Sequence, residues 1–535
     1  MNFKYLRFKS LFLIIMLGAT SFGSVNAYQD KGTLLDKEVK KAPKFNILFI
    51  AVDDLKPLVG AYGDKHAKTP GIDRLAKEGI VFKSSYTQQA ICAATRASIM
   101  TGLRPDRTKV WDLVTDFRQV NPNVVSMPQY FKNMGYETAA MGKIFHVESV
   151  GPGHDSPSWS VPYRDVNAPK YALPFVPNEK GRGKSVESAD VPDDFYQDGK
   201  ITGLAVSLMD SLSQNKKPFF LSVGFRKPHL PFVAPKKYWD LYDRNEFELA
   251  PFQKKALNSP DIAYHRSGEM KNYTDIPDFD SYSENELDHL SVDKQKELMH
   301  GYYAAMSYTD AQILLLLNEL DRLGIRENTI IVLWGDHGWH LGDHGLWNKH
   351  TNFEQATHTF MMMSVPGKKA GIKPVGLSEF TDVFPTLCDL TNLPIPNYLD
   401  GISLVPAIDN PEAPLRKYAF SQYPRNDAKI MGYSIRTKQF RYTEWFTDGF
   451  RTNLPYDKKY VIGSEMYDYE KDSLETVSVI GSKAYAKDEL SMKKLFLEAM
   501  QREHKRGADY TKIANYQTPI RTDIKTGKSK GNAID

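Results

Sequence analysis

Cysteine is nearly absent: the 535 residues hold two, Cys92 and Cys388. That excludes a disulfide scaffold and a cysteine-rich metal module. Cys388 lies in an apolar helical pattern, Phe384 to Leu390, and is expected in the core. No disulfide is therefore expected, and Cys92 is left for chemistry. Charge of one sign is also lacking. The formal net charge is +4, and removing Lys4, Arg7 and Lys9 with a leader leaves 4 − 3 = +1. A balance so close to neutral is no nucleic-acid footprint. Long apolar runs are missing after the leader, so no transmembrane segment is expected. Met1 to Ala27 combines a basic start, an apolar run from Leu11 to Leu17 and a small-residue cleavage site, Val25-Asn26-Ala27. It reads as an export signal, with the periplasm or the exterior as destination.

What remains is too long for one ordinary core and predicts two unequal domains. The expected division is signal peptide 1–27, polar linker 28–43, a larger α/β domain 44–410, a smaller C-terminal α+β domain 411–515 and a polar tail 516–535. Phe45 to Val52 is a near-continuous apolar run, as a strand buried on both faces requires. Asp53 and Asp54 come directly after it, where open α/β sheets place their sites. Thr69-Pro70 starts a helix that Gly79 stops, and Val81 to Tyr86 reads as one short strand leading to Cys92. A helix, Met127 to Asn133, precedes a strand that ends in Met141-Gly142-Lys143-Ile144-Phe145-His146. Residues 151–200 are rich in Gly, Pro, Ser and Asp and predict long loops.

Pro218 to Phe225 is the next buried strand, and the prolines of Arg226-Lys227-Pro228-His229-Leu230-Pro231 fix the loop that carries His229. Lys296 to Leu323 predicts the strongest helix. Thr329 to Trp334 then delivers Asp336 and His337, with Trp339, His344 and Lys349 after them. Asp382 to Leu393 is expected as a helix. From Pro411 the pattern turns to period two, with strands at Lys417 to Tyr423, Met431 to Thr437, Phe440 to Phe446 and Met466 to Tyr469. An amphipathic helix, Lys487 to Lys505, and a mobile polar end, Gln517 to Asp535, close the chain.

Cys92-Ala93-Ala94-Thr95-Arg96, with Thr101-Gly102 beyond it, opens what reads as a helix. Cys92 and Arg96 are four apart and share a helical face, so the guanidinium can reach an anion over the cysteine. Free amides at the helix start favour that anion further. Taken singly, each candidate has a plain structural reading: a buried thiol, a helix cap or a surface loop histidine. Together, Asp53/Asp54, Cys92/Arg96, Lys143/His146 and Asp336/His337 are all delivered by strand ends, with His229 and Lys349 on loops, and that sorting favours chemistry.

The Cys92-to-Gly102 stretch resembles the type I sulfatase signature. The whole set, in this chain order, resembles the sulfatases of the alkaline-phosphatase superfamily. The runs Gly224 to Phe232, Gly335 to Gly345, Ser421 to Arg425 and Ile430 to Thr437 resemble the iduronate-2-sulfatase group. The resemblance implies an α/β fold with a central mixed, mostly parallel sheet flanked by helices. It also implies that Cys92 is oxidised to formylglycine, and that Asp53, Asp54, Asp336 and His337 with residue 92 hold one divalent cation. Oxygen ligation suits calcium first and magnesium second. By the same resemblance Arg96 holds the hydrated aldehyde and the sulfate, Lys143 and Lys349 bind sulfate oxygens, His146 assists sulfate expulsion and His229 protonates the departing sugar oxygen. Trp339, His344, Arg226, Lys227 and Arg425 are the expected substrate contacts. The expected partners are a sulfated oligo- or polysaccharide, of glycosaminoglycan or ulvan-like type, and a formylglycine-generating or radical maturase. Ala94 stands where many members have proline, a position at which radical-type maturases are the more tolerant. A 2-O-sulfated uronate or xylose is the expected sugar. The alternatives are a phosphonate or phosphate monoester hydrolase on the same scaffold and a non-catalytic, calcium-dependent glycan-binding protein.

Overall fold

Six strands make the central sheet of this computed structural model, which describes residues 45–508 apart from 152, 281, 284–287, 427–428 and 448–455, together with the short strands Arg521–Thr522 and Ser529–Lys530. The expected leader, the linker and most of the polar end lie outside the described residues. The sheet order is Ile80–Val81, Met361–Ser364, Thr329–Gly335, Asn46–Val52, Phe219–Phe225, Glu137–Gly142. The last four are mutually parallel and Met361–Ser364 runs against both its neighbours, so the sheet is mixed and mostly parallel.

Alternation along Asn46–Val52 explains its unbroken apolar run. Leu48, Ile50 and Val52 pack with Ile201, Met209, Leu316 and Leu320 of the helices Gln197–Ser213 and Val292–Arg322. Ile47, Phe49 and Ala51 face the other way, against Ala93, Ile99, Phe131 and Leu387 of the helices Cys92–Thr101, Met127–Asn133 and Val383–Leu390. Helices thus cover both faces, and every residue of the strand is buried. Val52 is level with Phe225 on one side and Gly335 on the other, and Gly142 is level with Gly224. The residues just beyond these four strands therefore emerge along one edge.

A second sheet, wholly antiparallel, runs Ala419–Arg425, Ile430–Arg436, Phe440–Thr447, Val461–Asp468. Met492, Phe496 and Ala499 of the helix Ala486–Ala508 cover its apolar face. The expected split near residue 410 is a change of sheet within one unit that begins at Pro43. Asn352 donates to the Gly432 carbonyl at 3.0 Å, and Arg436 and Arg441 meet at Glu354, which ties the second sheet to the loop after Lys349.

Two local expectations need correction, and one strand goes unread. Val81 to Tyr86 is two strands, Ile80–Val81 and Ser85–Tyr86, in different sheets. The loop-rich reading of residues 151–200 ends early, because Gln197–Ser213 is a helix of 17 residues. Its Gly199 mimics a breaker, yet a Cβ there would meet the Asp193 carbonyl at 2.1 Å, so the glycine marks close packing. Met361–Ser364, three methionines and a serine, is a central-sheet strand that carries no β-branched signal.

Candidate active site

Asp53 and Asp54 would point to opposite sides if the strand simply continued. Asp54 instead takes a left-handed conformation, φ 58°, which aspartate tolerates. Tyr302 of the long helix fixes the turn, donating to the Asp54 carbonyl at 2.7 Å while accepting from the Lys56 amide at 2.9 Å. The Asp54 amide donates to Asp336 Oδ1 at 2.9 Å, so the two strand ends are joined through a side chain. All three carboxylates are buried, at 1% exposure or less.

Arg96 rises from the helix Cys92–Thr101 into the gap between them. Its Nη2 donates to Asp53 Oδ1 and its Nε to Asp336 Oδ2, each at 3.0 Å, and Nη1 donates to the Lys143 and Ile144 carbonyls. The guanidinium is wholly buried over the Trp334 ring. In this state four of its five hydrogens are committed, and it organises the carboxylates. Cys92 opens the helix, whose N-cap residue Ile91 offers no side-chain acceptor. Its Sγ lies 3.4 Å from His337 Nε2 and 3.9 Å from Asp54 Oδ1.

Lys143 is aimed by a pair of glycines. A Cβ on Gly142 would stand 2.0 Å from the Gly224 carbonyl, and one on Gly224 2.3 Å from the Lys143 backbone, so only glycine permits the strands to end this close. The Lys143 ammonium donates to Asp53 Oδ2. Burial alone would raise the Asp53 pKa, but Lys143 and Arg96 outweigh it and hold the carboxyl well below the usual range. His146 Nε2 lies 2.6 Å from Glu148 Oε2 at the cleft, and burial lowers its pKa.

The loop after Phe219–Phe225 carries His229 between two cis prolines, Pro228 and Pro231. Asp198 accepts from the Arg226 and Lys227 amides at 2.9 and 2.8 Å. The Lys227 ammonium turns back to the His229 and Pro231 carbonyls at 2.7 and 2.6 Å. His229 Nε2 is left facing Glu269 at 3.2 Å and Asp54 at 3.9 Å. Lys349 completes the set: its ammonium contacts Asp54 Oδ2 at 3.1 Å and Glu269 Oε2 at 2.8 Å, over the Trp339 ring. Glu269 has no sequence motif around it and goes unnoticed without the structure. Burial would raise its pKa, but Lys349 and His229 pull it down to about 2.

The donor set fits one hard cation. Ligand atoms of Asp54, Cys92, Asp336 and His337 lie within 4.8 Å of one another, as do those of Asp53, Asp54, Cys92 and His229. Burial pushes the Asp54 carboxyl well above its usual pKa despite Lys349, with Cys92 adding to the effect. Burial would lower His337, yet Asp336 and Cys92 overcome it and lift the imidazole to about 9. Negative potential is therefore concentrated where a divalent cation would neutralise it.

Of the five expected substrate contacts, Arg226 lines the cleft beside Lys143, His146 and His229. Lys227 lines it too, but its ammonium is committed to its own loop. Trp339 is sealed from solvent beneath Lys349. His344 and Arg425 need correction, because both are buried supports. His344 stacks on Phe353 with centroids 4.5 Å apart and contacts the Glu475 carbonyl. Arg425 donates to the Ile262 and Ala263 carbonyls, each at 3.0 Å, over the Tyr423 and Trp445 rings. Cys388 is free and buried, as expected, and burial raises its thiol pKa.

Residues 45–393 match the family described as Sulfatase, and residues 342–503 match N-sulphoglucosamine sulphohydrolase, C-terminal. The chain is 34% identical over 511 residues to iduronate 2-sulfatase of Homo sapiens, covering 80% of this chain and 90% of that one. A structure solved with D-glucosamine-2-N,6-O-disulfate as its substrate aligns at TM-score 0.69 and 23% identity, covering 87% of this chain and 98% of that one. A phosphonate monoester hydrolase of Agrobacterium radiobacter aligns at TM-score 0.68 and 20% identity, over 86% and 96%. These two likenesses speak for the fold alone.

Proposed function

The chain belongs to the sulfatase family and is a sulfuric ester hydrolase; from that premise we propose that it is exported and removes 2-O-sulfate from a uronate or xylose at or near the end of an acidic glycan. The observation that supports this most is the convergence of Asp53, Asp54, Asp336, Lys143 and Lys349 around Cys92 at a helix start. Identity to iduronate 2-sulfatase across 80% of the chain supports the choice of sugar and position.

Cys92, oxidised to formylglycine, would supply as its hydrate the hydroxyl that attacks sulfur. Asp53, Asp54, Asp336 and His337 would hold one divalent cation, calcium by the predominance of oxygen donors. Arg96 keeps two of those carboxylates in register through its buried fork. Lys143 and Lys349 are the cations free to exchange a carboxylate partner for sulfate oxygens, the interaction that strengthens as charge builds on the leaving sulfate. His146, neutral because burial lowers its pKa, accepts the proton whose loss lets sulfate depart. His229 donates to the sugar oxygen. Burial and Lys349 hold its pKa well below 6.5, while Glu269 opposes them, and a sulfate on Lys349 offsets that lysine's push.

Sulfate release from uronate-2-sulfate and xylose-2-sulfate termini tests the proposal. A strong preference for a 6-O-sulfated hexosamine over both would overturn the assigned position. The mass of the Cys92 peptide from the native host tests the nucleophile, since an unmodified thiol there favours binding over turnover.

A further inference from the structure

The cleft at Lys143, His146 and His229 opens into a pocket of about 570 Å³, within the range of roughly 300–1,000 Å³ that small ligands occupy. Lys170, Arg182 and Arg226 line the same pocket. We propose that these three residues form a second anion subsite, which holds a carboxylate or a second sulfate of the substrate while its ester sulfate sits at Cys92. The placement of the ester sulfate rests on the sulfatase reading above; the subsite rests on the cations themselves.

Arg226 and Arg182 are positioned, Lys170 is solvent-exposed at the rim, and among the described residues none of the three forms an ion pair with a carboxylate. The Arg226 backbone is pinned by Asp198, yet its Nε is buried without a hydrogen-bond partner, a cost that a ligand oxygen would relieve. Arg182 lies over the Tyr273 ring at 5.6 Å, with Nη1 3.4 Å from the Tyr273 hydroxyl, which leaves its remaining donors for a planar oxyanion. Desolvation, then Arg182 and then Arg226, draw the Lys170 ammonium down to about 8, and no acidic group counters them. The pocket's four acids have other partners or face solvent: Asp53 is held by Arg96 and Lys143, Asp198 accepts from backbone amides, Glu148 faces His146, and Asp165 is solvent-exposed. Mutually repelling cations beside an ester-cleaving site are stabilised by an anion, and an acidic glycan carries one within reach of its 2-sulfate.

Sulfate release by the full chain, Lys170→Ala and Arg182→Ala is to be compared on three substrates: a uronate 2-sulfate, a xylose 2-sulfate, and the same xylose 2-sulfate linked to a second sulfated sugar. A charge-assisted contact predicts that the wild type favours at least one dianionic substrate over xylose 2-sulfate by about tenfold to a hundredfold in kcat/KM, expressed in KM. Both variants should bring that ratio to near one. Loss on the uronate identifies a carboxylate as the ligand, and loss on the linked sugar identifies a sulfate. Release with no such preference, or a preference that both variants keep, overturns the subsite and leaves the sulfatase reading standing. Release from no sulfate ester overturns that reading first, and the subsite with it.

Discussion

Lys227→Met removes an ammonium that touches neither the cysteine nor the carboxylate cluster, and it should still slow the reaction. The ammonium holds the His229 and Pro231 carbonyls at 2.7 and 2.6 Å, inside the loop that must aim His229. Methionine keeps the volume and loses both bonds, so at about 1 kcal/mol each the loop is loosened by roughly 2 kcal/mol. If all of that is felt as misplacement of the acid, kcat on a sugar sulfate falls about thirtyfold, less than the roughly 10²–10⁴-fold that such an acid contributes. An aryl sulfate whose leaving group departs without a proton should lose far less. Equal losses on the two substrates, or none on the sugar, would refute the link between Lys227 and His229. Stability gives an independent check. Burial, with Lys170 adding to it against Asp198, lowers the Lys227 ammonium to about 7. Between about pH 7 and about pH 10 the unfolded chain holds a proton that the folded chain lacks, so the wild type gains on the variant by up to about 1.4 kcal/mol per pH unit. Below that window both states are protonated and the difference is flat. Urea midpoints of the two proteins across the range measure it.

Cys92→Ala should abolish sulfate release and keep the near-ultraviolet dichroism of the native fold, because in the proposed mechanism the residue supplies the covalent step and it contributes little core volume; substantial residual turnover would sink the mechanism. Asp54→Asn should weaken calcium binding and activity together, as read by calorimetry and sulfate release. Full activity of exhaustively chelated enzyme would remove Asp53, Asp54 and Asp336 from the role given to them. Arg425→Met should lower the urea midpoint by an amount equivalent to about 1–3 kcal/mol, for three lost charge-assisted bonds, the longest of them 3.3 Å to the Pro424 carbonyl, partly offset by relief of burial, with KM for the sugar sulfate held. A raised KM at native stability would instead return Arg425 to the substrate's side.

Strand ends are the part of this protein most legible in its sequence. Apolar runs such as Asn46–Val52 are visible because both faces are buried, and the residues just past each run are then placed by topology alone. That is why Asp53, Asp54, Lys143, Asp336 and His337 are found together from the sequence. Glu269 escapes because its position depends on a long connection whose path no local pattern sets, and its meaning comes only from Lys349 and His229 beside it. His344 and Arg425 mislead for the opposite reason. They sit in runs that resemble a functional neighbourhood, yet burial turns one onto Phe353 and the other onto two carbonyls. A motif fixes residue types near a site, and only packing decides which of them face the ligand.

Charge links the geometry to the preference for sulfate. Asp53, Asp54, Asp336 and Glu269 bring four negative charges when ionised, and Arg96, Lys143 and Lys349 bring three positive ones. The deficit of one agrees with the behaviour of the site without a cation, where Asp54 resists ionisation and His337 is drawn toward protonation. A divalent cation would reverse the sign and leave an excess of one positive charge, with the histidines neutral. A sulfate ester carries a single negative charge and closes that balance. A phosphate monoester dianion exceeds it by one, in a buried site where uncompensated charge is costly. A phosphonate monoester also carries one charge, so the balance accommodates a shared fold with hydrolases of that class. Discrimination between those two esters must then come from the groups around the central atom, where Lys143 and Lys349 are the cations placed to meet its oxygens.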